Sequence, residues 1–388
     1  MSAKSRKVEE YKGFEQGPIR PPSEAYSLLI RVTRNCPWNK CKFCPVYKGE
    51  KFSLRPAAHV KKDIDTVHKH IKALQQMSDG SGRISREDID AYNANLPANE
   101  RQAFMAALNW YAAGMESVFL QDANSLIIKS QDMIEILRHL RDRFPAIVRI
   151  TSYARSHTVS RIKDEELKAM RDAGLNRIHI GLESGSDEVL DMIRKGASKE
   201  KHIKAGQKVV RAGIELSEYI MPGLGGRALS RTHALETADA LNQINPDYIR
   251  IRTLAIPSSV PLAEDYESGR FEKLTDYETI QELLLLLENL DGIQSKVKSD
   301  HILNLFQELE GKLPEDKGAM METLRTFLNM PPHQRMLYQV GRRLGLFSRL
   351  TDLDNAGLCR QVEDTCRQYG ITPENADTVI SDLMKRFI

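Results

Sequence analysis

"KDEELKAMRDAGLNRIHIGLES", residues 163–184, carries the pattern that decides the fold. Apolar residues recur at helical spacing, an Ala-Gly pair stops the helix, and an apolar run rich in Ile then reads as a buried strand. The same punctuation returns in "KAGQKVVRAGIELSEYIMPG" (204–223). Working outward, "ESVFLQD" (116–122), "AIVRITSYA" (146–154) and "PDYIRIRTLAI" (246–256) are strand-like, as is "YSLLIRVT" (26–33) near the start. Helical stretches such as "SQDMIEILRHLRDRF" (130–144) and "RTHALETADALNQI" (231–244) separate them. Strand and helix alternate from 116 onward with a period of about 30 residues, the mark of parallel βα units. Six strands are too few for a closed eight-stranded barrel, so the fold class expected is α/β, a partial (βα)6 TIM-type barrel. In such barrels chemistry sits at the C-terminal strand ends.

The flanks differ in character. Residues 1–25 are a polar lead-in, 26–261 form the barrel, and 262–388 read as a helical extension. Within the extension "YETIQELLLLLENL", "SDHILNLFQELEG", "GAMMETLRTFLNM", "PHQRMLYQVGRRLG" and "TPENADTVISDLMKRF" are mostly amphipathic. Between the first two strands, 57–77 has helical periodicity, 78–100 is a polar loop with a short helix, and a further helix stops at Gly114.

Composition bounds the rest. The chain has 388 residues, of which 41% are apolar and 28% charged, with a formal net charge of +3, as in ordinary globular proteins. No apolar run approaches the ~18–20 residues that cross a bilayer. The polar N-terminus does not read as a signal peptide. A net charge this small gives no support to a nucleic-acid partner. Five cysteines, an odd count with three clustered, argue for a reduced, cytoplasmic setting rather than a disulfide framework.

The cluster is "TRNCPWNKCKFC" (33–44), directly after the first strand: Cys36, Cys41 and Cys44 in a Cys-x4-Cys-x2-Cys spacing. A structural zinc site wants four ligands, and no fourth Cys or His lies nearby. Zinc with a distant ligand is one reading. The other is a [4Fe–4S] cluster held by three thiolates, with its fourth iron free for a small ligand.

This arrangement resembles the radical S-adenosylmethionine (radical SAM) superfamily, whose cluster sits on a cysteine loop after the first strand of a partial barrel. The usual spacing there is Cys-x3-Cys-x2-Cys, so this chain departs by one residue. "IHIGLESGSDEVLDMIRKG" (178–196) and "KAGQKVVRAGIELSEYIMPGLGG" (204–226) resemble the fourth- and fifth-strand segments of one branch, which includes oxygen-independent coproporphyrinogen oxidases and methylthiotransferases. The resemblance spans about residues 26–261. It implies an oxygen-sensitive, anaerobic chemistry in which the reduced cluster cleaves S-adenosylmethionine to a 5′-deoxyadenosyl radical that abstracts hydrogen from substrate. A low-potential electron donor of the ferredoxin or flavodoxin type is implied as a partner.

The resemblance also implies cofactor contacts: Phe43 beside the adenine, Asp122 (from "LQDANSL", with Gln121, Asn124 and Ser125) for the amine, and Ser152, Tyr153 and Arg155 lining the pocket. Glu183 and Ser184 suit ribose or amine, and Arg194 or Lys195 the carboxylate. Arg252 and the Leu254–Ile256 segment back the adenine. Each has a plainer alternative: a cap for Asp122 or Ser184, a solvated charge for the arginines. His301 reads more simply as a surface residue. Cys359 and Cys366, seven apart on one helical face, read as core or surface thiols, with a second metal site as the alternative. Other functions held open are a zinc- or cluster-binding protein without radical turnover and an RNA-modifying enzyme.

Overall fold

The structure, a computed structural model, describes residues 9–79 and 82–384; residues 1–8 of the lead-in and the last four residues lie outside it. Seven strands run parallel and in chain order: β1 (Leu28–Arg31), β2 (Ser117–Gln121), β3 (Arg149–Ala154), β4 (Arg177–Glu183), β5 (Glu215–Ile220), β6 (Tyr248–Ile251) and β7 (Lys296–Lys298). A two-residue strand, β8 (Gly311–Lys312), pairs antiparallel with β7 at the edge. Helices follow the strands, among them Ser130–Arg143, Asp164–Asp172, Lys199–Arg211 and Gly226–Ile244. The expected partial barrel is therefore present, in simple order, with its six expected strands.

The seventh strand departs from the sequence reading. "SDHILNLFQELEG" is not a helix; β7 precedes it, and residues 299–310 form turns. β7 registers beside β6, Tyr248 opposite Lys296 and Arg250 opposite Lys298. A three-residue run of Lys-Val-Lys has no periodicity of its own, and its strand form comes from pairing. The remaining helices after Pro261, Asp276–Asn289, Lys317–Asn329, Pro332–Arg343, Ala356–Tyr369 and Ala376–Met384, cover the second half of the barrel. Leu182, Ile220, Ile249 and Ile251 from β4–β6 share one apolar cluster with Leu283, Phe306, Phe327 and Tyr338. Cys366 is buried in that cluster, and Cys359 packs at its margin with its thiol on Leu353 O (3.2 Å).

The lead-in is built into the fold. Phe14 is buried against helix Ala57–Met77. The Tyr11 hydroxyl donates to Asp63 (2.8 Å), and Glu15 pairs with Arg34 and Arg55. Gln121 grips the lead-in backbone, accepting from Gly17 N (2.8 Å) and donating to Gly17 O (3.1 Å).

Strand parity fills the barrel. Alternate residues Phe119, Tyr153, His179 and Tyr219 touch inside it, with ring centroids 5.3–6.3 Å apart. Glu24, fully buried, closes the floor. It takes the Ser27 hydroxyl (2.6 Å) and faces Arg149 (3.3 Å) and His179 (3.4 Å). Burial drives the His179 imidazole down to about 4, against the pull of Glu24 and with help from Arg250 and Arg177. Its partners hold the Glu24 carboxyl below its usual value despite burial. The unfolded chain therefore binds a proton at His179 between pH 6.5 and about 4 that the folded chain refuses. Stability rises with pH across that window and is lost as pH falls through it, by up to about 3 kcal/mol. The melting temperature should drop as pH is lowered from 7 to 4.5, and His179→Gln should flatten that slope. His301, also driven down to about 4, leaves a residual slope. An unchanged slope in the variant would refute the assignment.

Candidate active site

The cysteine loop leaves β1 and is closed at its base by a two-residue antiparallel pairing, Thr33–Arg34 with Ser53–Leu54. Asn35 (φ 67°) and Asn39 (φ 46°) take left-handed turns that Asn tolerates better than most residues. Asn39 N–H donates to Cys36 Sγ (3.4 Å), and Lys48 Nζ donates to Cys41 O (2.8 Å). Two backbone bonds tie the loop to distant segments: Lys42 N to Ile193 O (2.9 Å) and Leu262 N to Lys42 O (3.0 Å). Lys42 also pairs with Asp265 (2.7 Å). The loop is thus stitched to the residues after β4 and β6 before any ligand is considered.

All three cysteines are free and half-buried. Burial pushes the Cys41 and Cys44 thiols up; Lys195 opposes this at both, with Arg155 at Cys41 and Arg252 at Cys44. The Cys41 thiol also feels Cys44 and Cys36, and the Cys44 thiol feels Cys36. Among the described residues no group of three or more His, Cys, Asp or Glu is disposed around a single metal ion. Three thiols on one loop are the donor number that a [4Fe–4S] cluster with one open corner takes. Cationic groups beside them suit the negative charge of metal-bound thiolates.

β4 supplies the next side. Glu183 ends the strand with φ 63°, at an irregularity in the β4–β5 register. Its carboxylate folds back over Gly181, where any Cβ would collide with it, and pairs with Lys195 (3.0 Å). Lys195 Nζ lies 5.8 Å from the Phe43 ring centre, which joins the cysteine loop to this pair. Gly181→Ala should displace Glu183 while leaving the outer face of β4 packed. A several-fold loss of sulfonium affinity with little change in melting temperature is the expected reading by calorimetry; unaltered affinity would exclude Glu183 from the pocket.

Trp38 and Arg155 form a second joint that the sequence reading missed. The Trp38 indole donates to Arg194 O (2.7 Å) and packs on Gly196, whose φ is +71°. The Arg155 guanidinium stacks over Trp38 (5.2 Å) and donates to Lys195 O (2.7 Å). A lone Trp between Pro and Asn carries no periodicity; its only sequence signal was its place between two of the cysteines. On the third side Met221, Leu254 and Ile256 make an apolar cluster that Phe43 joins, and Gly223 (φ 88°) sits against Leu254.

Three expected contacts sit elsewhere. Ser152 is fully buried, and among the described residues its hydroxyl bonds only to Tyr153 O (3.2 Å). Parity turns it outward with Ile150 and Ala154 of the helix-facing core, while Tyr153 faces inward. Ser184 is also fully buried. Its Oγ meets His233 Nδ1 (2.8 Å) and accepts from Ser186 N (3.0 Å), behind the mouth rather than in it. Asp122 is enclosed by Arg31 (Nη2 at 2.8 Å, Nε at 2.9 Å), Asn35 N (3.2 Å) and the Tyr47 hydroxyl. Three of these donors fall on Oδ2 and the Tyr47 hydroxyl on Oδ1, so the carboxylate ties β1 to the cysteine loop. Asn124 and Ser125 likewise serve the backbone, Asn124 accepting from Arg155 N (2.9 Å) and Ser125 donating to Leu120 O (3.0 Å). Phe43, Glu183 and Arg155 do converge on Lys195, whereas the Arg252 side chain stands exposed at the rim and makes no contact with them among the described residues.

Functional groups gathered at the C-terminal ends of parallel barrel strands define a barrel enzyme. The family model described as the radical SAM superfamily matches residues 30–236. The chain belongs to that superfamily: it is an enzyme, with a [4Fe–4S] cluster and S-adenosylmethionine as its cofactors. It is 20% identical over 279 residues to a tRNA uridine(34) acetyltransferase of Methanocaldococcus infernus, covering 68% of this chain and 49% of that protein. It is 21% identical over 230 residues to the human mitochondrial tRNA methylthiotransferase CDK5RAP1, covering 54% and 35%. The chain thus spans about half or less of the curated relatives it matches. Among solved structures, the coproporphyrinogen III oxidase of Escherichia coli aligns with a TM-score of 0.45 at 14% identity, over 68% of this chain and 52% of that one. No helix among the described residues is long and apolar enough to cross a membrane.

Proposed function

We propose that Cys36, Cys41 and Cys44 ligate three irons of the [4Fe–4S] cluster and that S-adenosylmethionine takes the fourth. When bound and reduced, this pair supplies a 5′-deoxyadenosyl radical that removes a hydrogen atom from substrate. The observation that carries the reading is the stitched loop of three mutually interacting thiols against Lys195 and Arg155. Around it the chain's own groups divide the work. Glu183 and Lys195 offer one acceptor and one cation to the amino acid part of the sulfonium. Phe43, Met221, Leu254 and Ile256 give its adenine an apolar face and keep water from it. Arg155 and Trp38 hold Lys195 in place through its carbonyl and the adjoining turn. A low-potential ferredoxin or flavodoxin in the cytoplasm would deliver the electron.

The test is anaerobic reconstitution with iron and sulfide, followed by dithionite and S-adenosylmethionine. Brown protein releasing 5′-deoxyadenosine and methionine is the expected result. Colourless protein with bound zinc would support the binding-protein alternative instead. A second reading, an RNA substrate, draws on the tRNA activities in the relatives' names. Its test is incubation with unmodified tRNA and mass analysis of the nucleosides.

A further inference from the structure

The turn after β7 brings a group to the barrel mouth that the reading above leaves unused. β6 and β7 register Arg250 opposite Lys298, and beyond the paired residues Asn304 bonds both Ile251 and Thr253, which sets the turn that carries Asp300 and His301 beside the backbone of Arg252. Arg252 keeps the inward parity of Arg250. Its backbone is fixed by a bond to Ile220 O (3.0 Å). Asn304 locks the two strand ends together: its Oδ1 accepts from Thr253 N (2.9 Å), and its Nδ2 donates to Ile251 O (2.8 Å) and Ser299 Oγ (2.9 Å). This is a rigid platform.

The charges on it are unbalanced. Asp300, the acid adjoining His301, is committed to Arg250 (2.5 Å). Lys42 and Lys195 have Asp265 and Glu183, and Arg155 has a carbonyl. Of these four mouth cations only Arg252 has neither an ion pair nor a side-chain hydrogen bond among the described residues, and its side chain is exposed. His301 lies within its electrostatic reach, as do Cys44 and Tyr153. Leu303 N donates to His301 Nδ1 (3.3 Å), so in the neutral ring the proton sits on Nε2 and that nitrogen is a donor. Burial and Arg252 together keep the ring neutral.

We propose that Arg252 and His301 bind a carboxylate group of a small-molecule substrate, across the mouth from Cys44. One guanidinium fork and one neutral N–H match one planar, singly charged oxyanion. A polynucleotide would ask for several unpaired cations along a track, whereas Lys42 and Lys195 are already neutralised. Calling this anion the substrate's rests on the function proposed above; the anion site itself does not need the cluster.

Benzoate is the probe. The chain, labelled with ¹⁵N-histidine, is titrated with sodium benzoate at fixed ionic strength, and the His301 signal is identified by its loss in His301→Gln. A saturable shift with a millimolar dissociation constant is expected, weakened about tenfold or more in Arg252→Gln and less in Arg252→Lys. Unchanged melting temperatures show that the variants fold. Calorimetry with S-adenosylmethionine on the reconstituted protein should give the same affinity in Arg252→Gln as in the parent. No saturable shift, or an equal shift in Arg252→Gln, overturns the proposal. So does sulfonium affinity lost in step with benzoate, which assigns Arg252 to the cofactor, and so does tighter binding of a ten-nucleotide RNA at the same signal. Absence of 5′-deoxyadenosine with the benzoate site intact would instead strike at the radical reading alone.

Discussion

Changing Cys36, Cys41 or Cys44 singly to alanine should abolish 5′-deoxyadenosine formation, with nucleoside release falling to the level of protein-free controls. The reason is ligand count. Three thiolates are the only cysteines at the barrel mouth, since Cys359 and Cys366 lie in the helical core after Pro261. Losing one leaves two, and no other Cys or His in the loop can substitute. Iron per chain should collapse in each variant, and the brown colour with it. The fold should survive, because Asp122, Lys42 and Lys48 hold the loop without help from sulfur. Melting temperature, read beside iron content, separates a lost ligand from a lost loop. Cys359→Ala and Cys366→Ala are the controls, and both should retain iron and nucleoside release. A variant of the triad that keeps its iron and its turnover would remove the ground for the proposed function.

The parts that were legible in the sequence share a cause. Six strands announced themselves because each carries an apolar run closed by Gly, Pro or polar turn residues, and each is followed by a helical period. Glu183 and Phe43 lie beside those patterns, and both side chains reach Lys195. The errors fall where pattern gives no answer. A barrel strand buried on both faces hides its parity, so Ser152 and Tyr153 could not be told apart by hydrophobicity. β7 exists by pairing with β6 on one side and β8 on the other. Ser184 belongs to His233, 49 residues away, and Asp122 to Arg31, 91 away, on elements whose juxtaposition follows from the barrel and not from local sequence. Trp38 on Gly196 and Asn304 on Thr253 are of the same kind: side chains from one loop that meet another because every strand ends at one rim.

Asp122 shows how far support reaches into function. Asp122→Ala should destabilise the protein by roughly 2–4 kcal/mol, since it takes the main partner from the half-buried Arg31 guanidinium and the acceptor from a buried Tyr47 hydroxyl. Arg31 would keep the Asn35 side-chain oxygen, at 3.0 Å, and Glu15, at 3.8 Å, while the buried Tyr47 hydroxyl and Asn35 N–H would lose their acceptor. At the entropy of unfolding typical of a chain of 388 residues, that is a fall in melting temperature of about 3–5 °C. Asn35 is the residue before Cys36, so the loss should spread to the loop and lower iron content as well. Asp122→Asn keeps the shape and one acceptor oxygen, and should cost less on both measures. The contrast decides between two roles for this carboxylate. A clamp predicts that stability and iron fall together, with sulfonium affinity unchanged in whatever fraction stays loaded. A contact to the sulfonium amine predicts the reverse: a stable, fully loaded Asp122→Asn whose dissociation constant for S-adenosylmethionine rises about tenfold or more. Thermal unfolding, iron assay and calorimetry on one preparation tell them apart, and the four donors around Asp122 put the outcome with the clamp.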